Sequence, residues 1–327
     1  MKNKIIKVSS KILEKEIIKK SNKYTSLRFS KIIAKLIIRA EKMNILTHGL
    51  HYFVHSIEPH LTNGLTKHKI IQKKNYLYSL GENGGGLGIV NTYDCLNKAS
   101  LIAKKTGVCV YSAKNPGKIG ALRIYCPEII KKNQLILLMK NTAPTQGLEK
   151  IKKAIIGTNP LSIGIPGSDF IYDSSTSTVA TNAIRLKKKY SQKFKHVVGI
   201  DKNNYPTNDP NKLLEDRAFL NTFADGQFWY KSFYLGMAIE FIGALCGGKT
   251  SYRVGKHKGK RLFSKEGLLA IIIDKKTFPN YRSYIKEIKL FLKDIKKSGL
   301  RIPGTYNDKQ KYLYVLKADY KKLKDSN

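Results

Sequence analysis

The chain is expected to fold as an α/β protein. Three observations predict this class: short apolar runs recur along the sequence, stretches of helical spacing alternate with them, and loops bearing glycine or proline stand where the two meet. Residues 157–177, GTNPLSIGIPGSDFIYDSSTS, show all three together. Within them, residues 161–166 and 170–172 are apolar runs of strand length. Before the first run, Gly157 permits tight backbone and Pro160 biases Asn159 away from helix, so amides and small polar groups can face a ligand. After the second, residues 173–177 supply caps for a following helix, and their hydroxyls and free amides suit an anion.

Taken in order, residues 11–44 read as mostly helix. Phe29, Ile32, Ile33, Leu36, Ile37 and Ala40 keep the three-four spacing of one apolar face, with Ser21 or Ser26 as the cap. The helix delivers the chain to Thr47-His48-Gly49. Histidines 48, 51 and 55 are spaced to lie near one helical face, but only Glu58 could join them, so the set is incomplete and no metal is expected. Residues 76–81 form a strand, residues 82–88 a glycine loop, and a helix follows with Ile89, Tyr93, Leu96 and Ala103 inward. That order suits a phosphate cradle, although the glycine spacing fails the dinucleotide fingerprint.

A strand at 107–112 runs into a loop containing Asn115, Pro116 and Gly117, and a strand at 134–139 runs into Asn141, Thr142, Ala143 and Pro144. Such loops at strand ends are where α/β proteins hold ligands. A helix is expected at about 178–189, then a surface connection across 197–210. Trp229 opens an apolar helix in which Phe233, Met237, Glu240, Phe241 and Ala244 keep helical spacing. Lys231 near its start opposes the helix dipole, and ligand contact would explain a cation there. A buried strand at 267–274, an amphipathic helix at 280–297, and a turn at 302–304 before a basic tail complete the chain.

Composition narrows the function classes. A net charge of +38 on 327 residues points at first to nucleic acid or an anionic membrane. Only nine of the 61 basic residues are Arg, however, and base and phosphate readout favours the Arg fork. The lysines are spread along the chain, so the field serves to attract small anions, and no specific nucleic acid is expected. Four cysteines show no C-x-x-C pairing and read as reduced thiols of a cytoplasmic protein. The longest aliphatic run, 268–273, is too short to span a bilayer, and Glu14 and Glu16 interrupt any signal-peptide pattern.

Several motifs together resemble the malate/L-lactate dehydrogenase family, the NAD(P)-dependent 2-hydroxyacid oxidoreductases that are distinct from the Rossmann lactate dehydrogenases. They are Thr47-His48-Gly49, Gly81-Glu82-Asn83-Gly84, Gly157-Thr158-Asn159-Pro160-Leu161, Asp173 with Thr176-Ser177, Asp201, Pro206-Thr207-Asn208-Asp209-Pro210, Lys231, Ile273-Asp274 with Phe278, and Pro303-Gly304. The resemblance implies a non-Rossmann mixed-sheet α/β fold, with a helical part built from N- and C-terminal segments. It implies three parts: a helical segment at 1–75 carrying His48, a cofactor-binding core at 76–278, and a C-terminal helix and tail at 279–327 packing with the first. A homodimer and an NAD or NADP cofactor also follow from it.

The chemistry implied is interconversion of a small anionic 2-hydroxy acid and its 2-oxo acid, with His48 as proton donor or acceptor. Thr47, Tyr52 and Asn115 would meet the substrate, and Thr142, Gly157, Asn159, Asp173, Thr176 and Lys231 the cofactor. Three positions depart from the family pattern. Asn115 stands for a histidine that would be an acid/base candidate, Tyr52 for the arginine expected to hold the substrate carboxylate, and Ala183 for a lysine. These departures support a second reading, a family member that keeps the fold and cofactor binding with little turnover. A third, a nucleic-acid-binding protein, rests on charge alone.

Overall fold

The computed structural model describes residues 5–61, 68–82, 87–224, 226–255 and 265–325. The part of the glycine loop at 83–86, which includes Asn83 and Gly84 of the motif, lies outside the described residues.

The run GLLAIIID carries no polar side chain before its last residue, and such a strand needs cover on both faces. As β13 (Gly267–Asp274) it lies at the middle of a seven-stranded sheet. The sheet also holds β2 (His68–Lys73), β3 (Tyr76–Gly81), β4 (Val108–Lys114), β5 (Gln134–Lys140), β8 (Leu161–Gly164) and β9 (Ile171–Ser174). The order is β2-β3-β4-β13-β5-β8-β9. Only β3 and β4 pair in parallel, with the Ile89–Thr106 helix as their crossover, so the sheet is mixed. Ala270 faces Tyr111 on one side and Leu138 on the other, and all three are buried. β2 is the exposed edge, and its lysines discourage a further strand from adding there.

Each strand expected from an apolar run is present, and the helices at Ile89–Thr106, Thr181–Lys189, Trp229–Leu245 and Tyr281–Lys297 are where the spacing places them. The first helical stretch is two helices, Ser10–Asn22 and Leu27–Lys42, with the Ser26 hydroxyl accepting from the Phe29 amide at the second start. Long-range pairing supplies what local pattern does not. The connection across 197–210 contributes β10 (Gly199–Ile200) and β11 (Pro206–Thr207) to a second sheet. With β6 (Gln146–Leu148), β7 (Lys153–Ile156) and β12 (Phe219–Leu220), its order is β11-β10-β12-β6-β7. The expected basic tail is instead a strand, β14 (Tyr312–Leu316), and a helix, Lys317–Lys324. β14 pairs antiparallel with β1 (Ile5–Ser9). A partner three hundred residues away leaves no trace in a window of a dozen.

Beneath the Trp229–Leu245 helix the buried carboxylate of Glu240 joins the elements that carry the 141–159 loops. One oxygen accepts from the Asn159 amide (3.1 Å) and the Gly157 backbone N–H (3.0 Å); the other accepts from Asn141 (2.9 Å). Asn141 Oδ1 in turn accepts from the Gly267 N–H at 2.7 Å, tying β5 to β13. Removing a buried acceptor leaves several donors unsatisfied, each costing about 1 to 3 kcal/mol. Glu240→Ala is therefore expected to lower unfolding stability by about 3 kcal/mol, measured as the shift of the urea midpoint at unchanged slope.

Candidate active site

A cleft of about 620 Å³ opens between the 45–56 segment, the 118–123 loop, the end of β5 and the region following β9. His48, Thr47, Tyr52, Thr142 and Asp173 all line it. The sequence signals at the two ends of this set lie more than a hundred residues apart, and the sheet brings them to one place.

His48 is positioned by the turn after the Leu27–Lys42 helix. Glycine at position 49 leaves room for the Glu41 carboxylate, which lies 2.1 Å from where a Cβ would stand and accepts from the Leu50 N–H at 2.6 Å. Burial pushes the Glu41 carboxyl up to about 7. The imidazole is held at both nitrogens, with Thr47 Oγ1 3.0 Å from Nδ1 and Asn182 Nδ2 3.4 Å from Nε2. A guanidinium has only donors, so the 3.0 Å contact from Arg185 fixes Asn182 Oδ1 on its side and turns the Asn182 NH₂ to His48. Nε2 is then the acceptor, and Nδ1–H donates to Thr47. Burial, and after it the Arg123 charge, lower the His48 pKa to about 4, so the ring is neutral at pH 7 with the Nε2 lone pair toward the cleft.

Asp173 is bound by Arg123, whose Nε lies 2.9 Å from Oδ2 and whose Nη2 donates to the Asp173 carbonyl. Burial pushes the Asp173 carboxyl up against this pairing. Lys140, at the end of β5, pairs with Glu266 at 2.5 Å, both largely buried, and donates to the Gly117 carbonyl. Lys118 and Arg185 add two further cations. Burial and the neighbouring charges of Arg185 and Lys140 lower the Lys118 ammonium to about 8, with Glu266 opposing. None of these cations was singled out in the sequence, where they are lost among many lysines. Scarcity of arginine was the available signal: Arg123 and Arg185 both line the cleft in a chain with nine.

Other residues named from sequence stand outside the lining. Gly157 and Asn159 lie in the Glu240 network; Asn159 Oδ1 accepts from the Thr142 N–H at 3.0 Å, and a Cβ on Gly157 would meet the Thr142 carbonyl at 2.3 Å. They shape the Thr142 turn from behind. Thr176 is buried and donates to the Thr158 carbonyl. Asn115 adopts φ +51° at the end of β4, and its amide donates to the Gly81 carbonyl. Lys231 is exposed, its ammonium 4.9 Å from the Phe228 ring centre. The histidines also separate: His51 and His55 bind Asp319 of the Lys317–Lys324 helix at 2.9 and 3.0 Å, away from His48. Lys189 occupies the same cluster, bonded to Asp319 and 3.0 Å from His55.

Residues 22–310 match the family described as malate/L-lactate dehydrogenase. The chain belongs to the malate/L-lactate dehydrogenase family. Among relatives, it is 27% identical over 282 residues to a malate/(S)-sulfolactate dehydrogenase of Methanothermus fervidus, covering 84% of this chain and 81% of that one. It is 25% identical to an L-sulfolactate dehydrogenase of Methanocaldococcus jannaschii, covering 86% and 83%. Among solved structures, a dehydrogenase from Sinorhizobium meliloti superposes with a TM-score of 0.83 at 20% identity, covering 98% of both chains. The sulfolactate dehydrogenase structure from M. jannaschii gives 0.76 at 22% identity, covering 97% and 90%. The fold is thus that of the malate/L-lactate dehydrogenases, a mixed-sheet α/β architecture rather than the Rossmann one.

In this dehydrogenase the Arg123 charge helps keep His48 neutral. Arg123→Met is expected to raise the His48 pKa from about 4, read from the imidazole proton shifts in an NMR titration.

Proposed function

We propose that this malate/L-lactate-type dehydrogenase reduces and oxidises a small 2-oxo/2-hydroxy acid pair in the described cleft, with His48 handling the proton. The single observation that carries this reading is a doubly anchored imidazole, kept neutral by burial, whose Nε2 accepts from the Asn182 amide on a cleft lined by cations.

A nicotinamide cofactor fits the rest of the lining. Thr142, Thr145, Thr158, Ser175, Ser177 and Thr178 are among the residues that line the cleft. The Thr145 hydroxyl is buried with no partner among the described residues, an orphan that a ligand group would satisfy. When bound, the cofactor supplies or takes the hydride at the substrate C2. The protein's part is to bind, orient and move the proton. Lys118 and Arg185, which have no carboxylate partner among the described residues, attract the anionic substrate, while Arg123 and Lys140 are paired with Asp173 and Glu266. In oxidation, His48 Nε2 accepts the proton of the hydroxyl while Thr47 holds Nδ1–H and so the tautomer. In reduction the same nitrogen, protonated, returns it. NAD and NADP both suit this reading.

Because Asn115 cannot titrate, His48 carries the proton alone, and measured turnover separates this function from that of a family member that keeps the fold with little activity. His48→Gln is expected to lower kcat about 10²- to 10⁴-fold while NADH or NADPH binding, read by fluorescence, stays unchanged. In the wild type, 2-hydroxy acid oxidation at low substrate should persist well below pH 6.5 and fall as the ring protonates near pH 4. A wild type that binds the reduced cofactor and turns over no 2-oxo acid in a broad panel would favour the non-catalytic reading.

A homodimer belongs to the same proposal. Tyr230, Tyr234, Phe241 and Leu245 form one stripe along the Trp229–Leu245 helix and are all exposed, Leu245 at 86%. A stripe of this size on an isolated chain marks an interface. Phe241→Asp is expected to convert a dimer to a monomer in analytical ultracentrifugation. The cytoplasm is the proposed location, supported by four free, buried cysteines. No described helix is long and apolar enough to cross a membrane.

A further inference from the structure

Two of the cleft cations, Lys118 and Arg185, have no carboxylate within ion-pair distance among the described residues; Arg123 and Lys140 are both neutralised, by Asp173 and Glu266. At the position where the resemblance expects a carboxylate-holding arginine stands Tyr52. Its phenol is buried and pushed well above its ordinary range, so it stays neutral and cannot balance an anion. Arg185 comes from a different element, the Thr181–Lys189 helix, yet lies close enough for its charge to act on Tyr52. The substrate carboxylate therefore has, on the same cleft as the side chain that cannot serve it, a guanidinium with no carboxylate partner among the described residues.

We propose that Arg185 is the substrate carboxylate clamp of this protein, and that the Asn182 side chain occupies the place of the substrate until one binds. The inference rests on the 2-oxo acid reading of the cleft and deepens it. The Asn182 amide bridges the two groups the substrate must reach: its oxygen accepts from Arg185 Nη1 at 3.0 Å and its NH₂ donates to His48 Nε2 at 3.4 Å. A 2-hydroxy acid presents the same polarity in the same order. One carboxylate oxygen accepts from the guanidinium, and the adjacent hydroxyl donates to the imidazole. The amide spans about 2.2 Å from oxygen to nitrogen, and the acid about half an ångström more from carboxylate to hydroxyl oxygen. An acid in place of the amide therefore reaches both groups, and shortens the imidazole contact toward the hydrogen-bond optimum. Arg185 itself is exposed to the cleft and needs no uncovering. Charge has moved from position 52 to position 185, from one wall of the cleft to another.

The experiment uses oxamate, an unreactive isostere of a 2-oxo acid, titrated calorimetrically into the full-length protein with saturating NADH or NADPH. Arg185→Gln is expected to weaken oxamate binding by about 30-fold, and to raise KM for the best 2-oxo acid far more than it lowers kcat. Arg185→Lys is expected to recover part of the affinity, since it restores charge without the planar fork. Asn182→Ala is expected to keep oxamate affinity within about threefold, because the amide is displaced on binding. Thermal melts of each variant confirm folding. Oxamate binding by Arg185→Gln within twofold of wild type, or no binding by the wild type, overturns the clamp. A tenfold loss in Asn182→Ala overturns the placeholder. Failure of the parent reading looks different: the wild type binds oxamate through Arg185 yet reduces no 2-oxo acid.

Discussion

One buried carboxylate constrains the architecture of the cleft. Glu240 receives hydrogen bonds from Asn141, Asn159 and the Gly157 amide, and so fixes the end of β5, the turn before β8 and the helix above them in one arrangement. Thr142, on the cleft wall, inherits its place from this network through the Asn159 amide oxygen. A low-dielectric interior makes such a hub rigid, because any departure strands a donor where water cannot reach it. Side chains that meet ligand are then presented by loops whose backbone is not free to wander.

A second constraint acts on the other wall. The turn carrying His48 is backed by the Glu41 carboxylate, and the segment after it is anchored through His51 and His55 to Asp319 near the far end of the chain. Burial alone would raise the Asp319 carboxyl, but hydrogen bonds from His51, His55 and Lys189 outweigh it and hold the group well below the usual carboxylate range. The C-terminal helix, read from sequence as a basic tail, is thereby a structural support for the segment that carries the imidazole. Histidines 51 and 55 hold that support from an adjoining pocket, while His48 lines the cleft itself.

Charge is deployed in two ways. The diffuse lysine surface gives the molecule its field, while within the cleft a few cations stand at fixed distances from partners that tune them. Arg123 is paired and lowers the imidazole pKa. Arg185 has no carboxylate partner among the described residues and lines the cleft. The difference between the two arginines lies in what surrounds them, since a charge neutralised by a neighbour has little attraction left for a substrate.

The sequence by itself determined six of the seven strands of the large sheet, all but β2, together with the principal helices and the likeness to the family. Apolar runs need burial and helical spacing needs a face, and both are local properties. The resemblance also singled out His48, Thr47, Tyr52, Thr142 and Asp173, which the fold brings to one cleft. Only the tertiary structure decided which of the named residues line that cleft and which, like Asn159 and Thr176, brace it from behind. It alone revealed Arg123, Arg185 and Asn182 beside His48, and β14 beside β1. Contacts across a hundred or more residues are set by packing of the whole chain, and no local pattern encodes them.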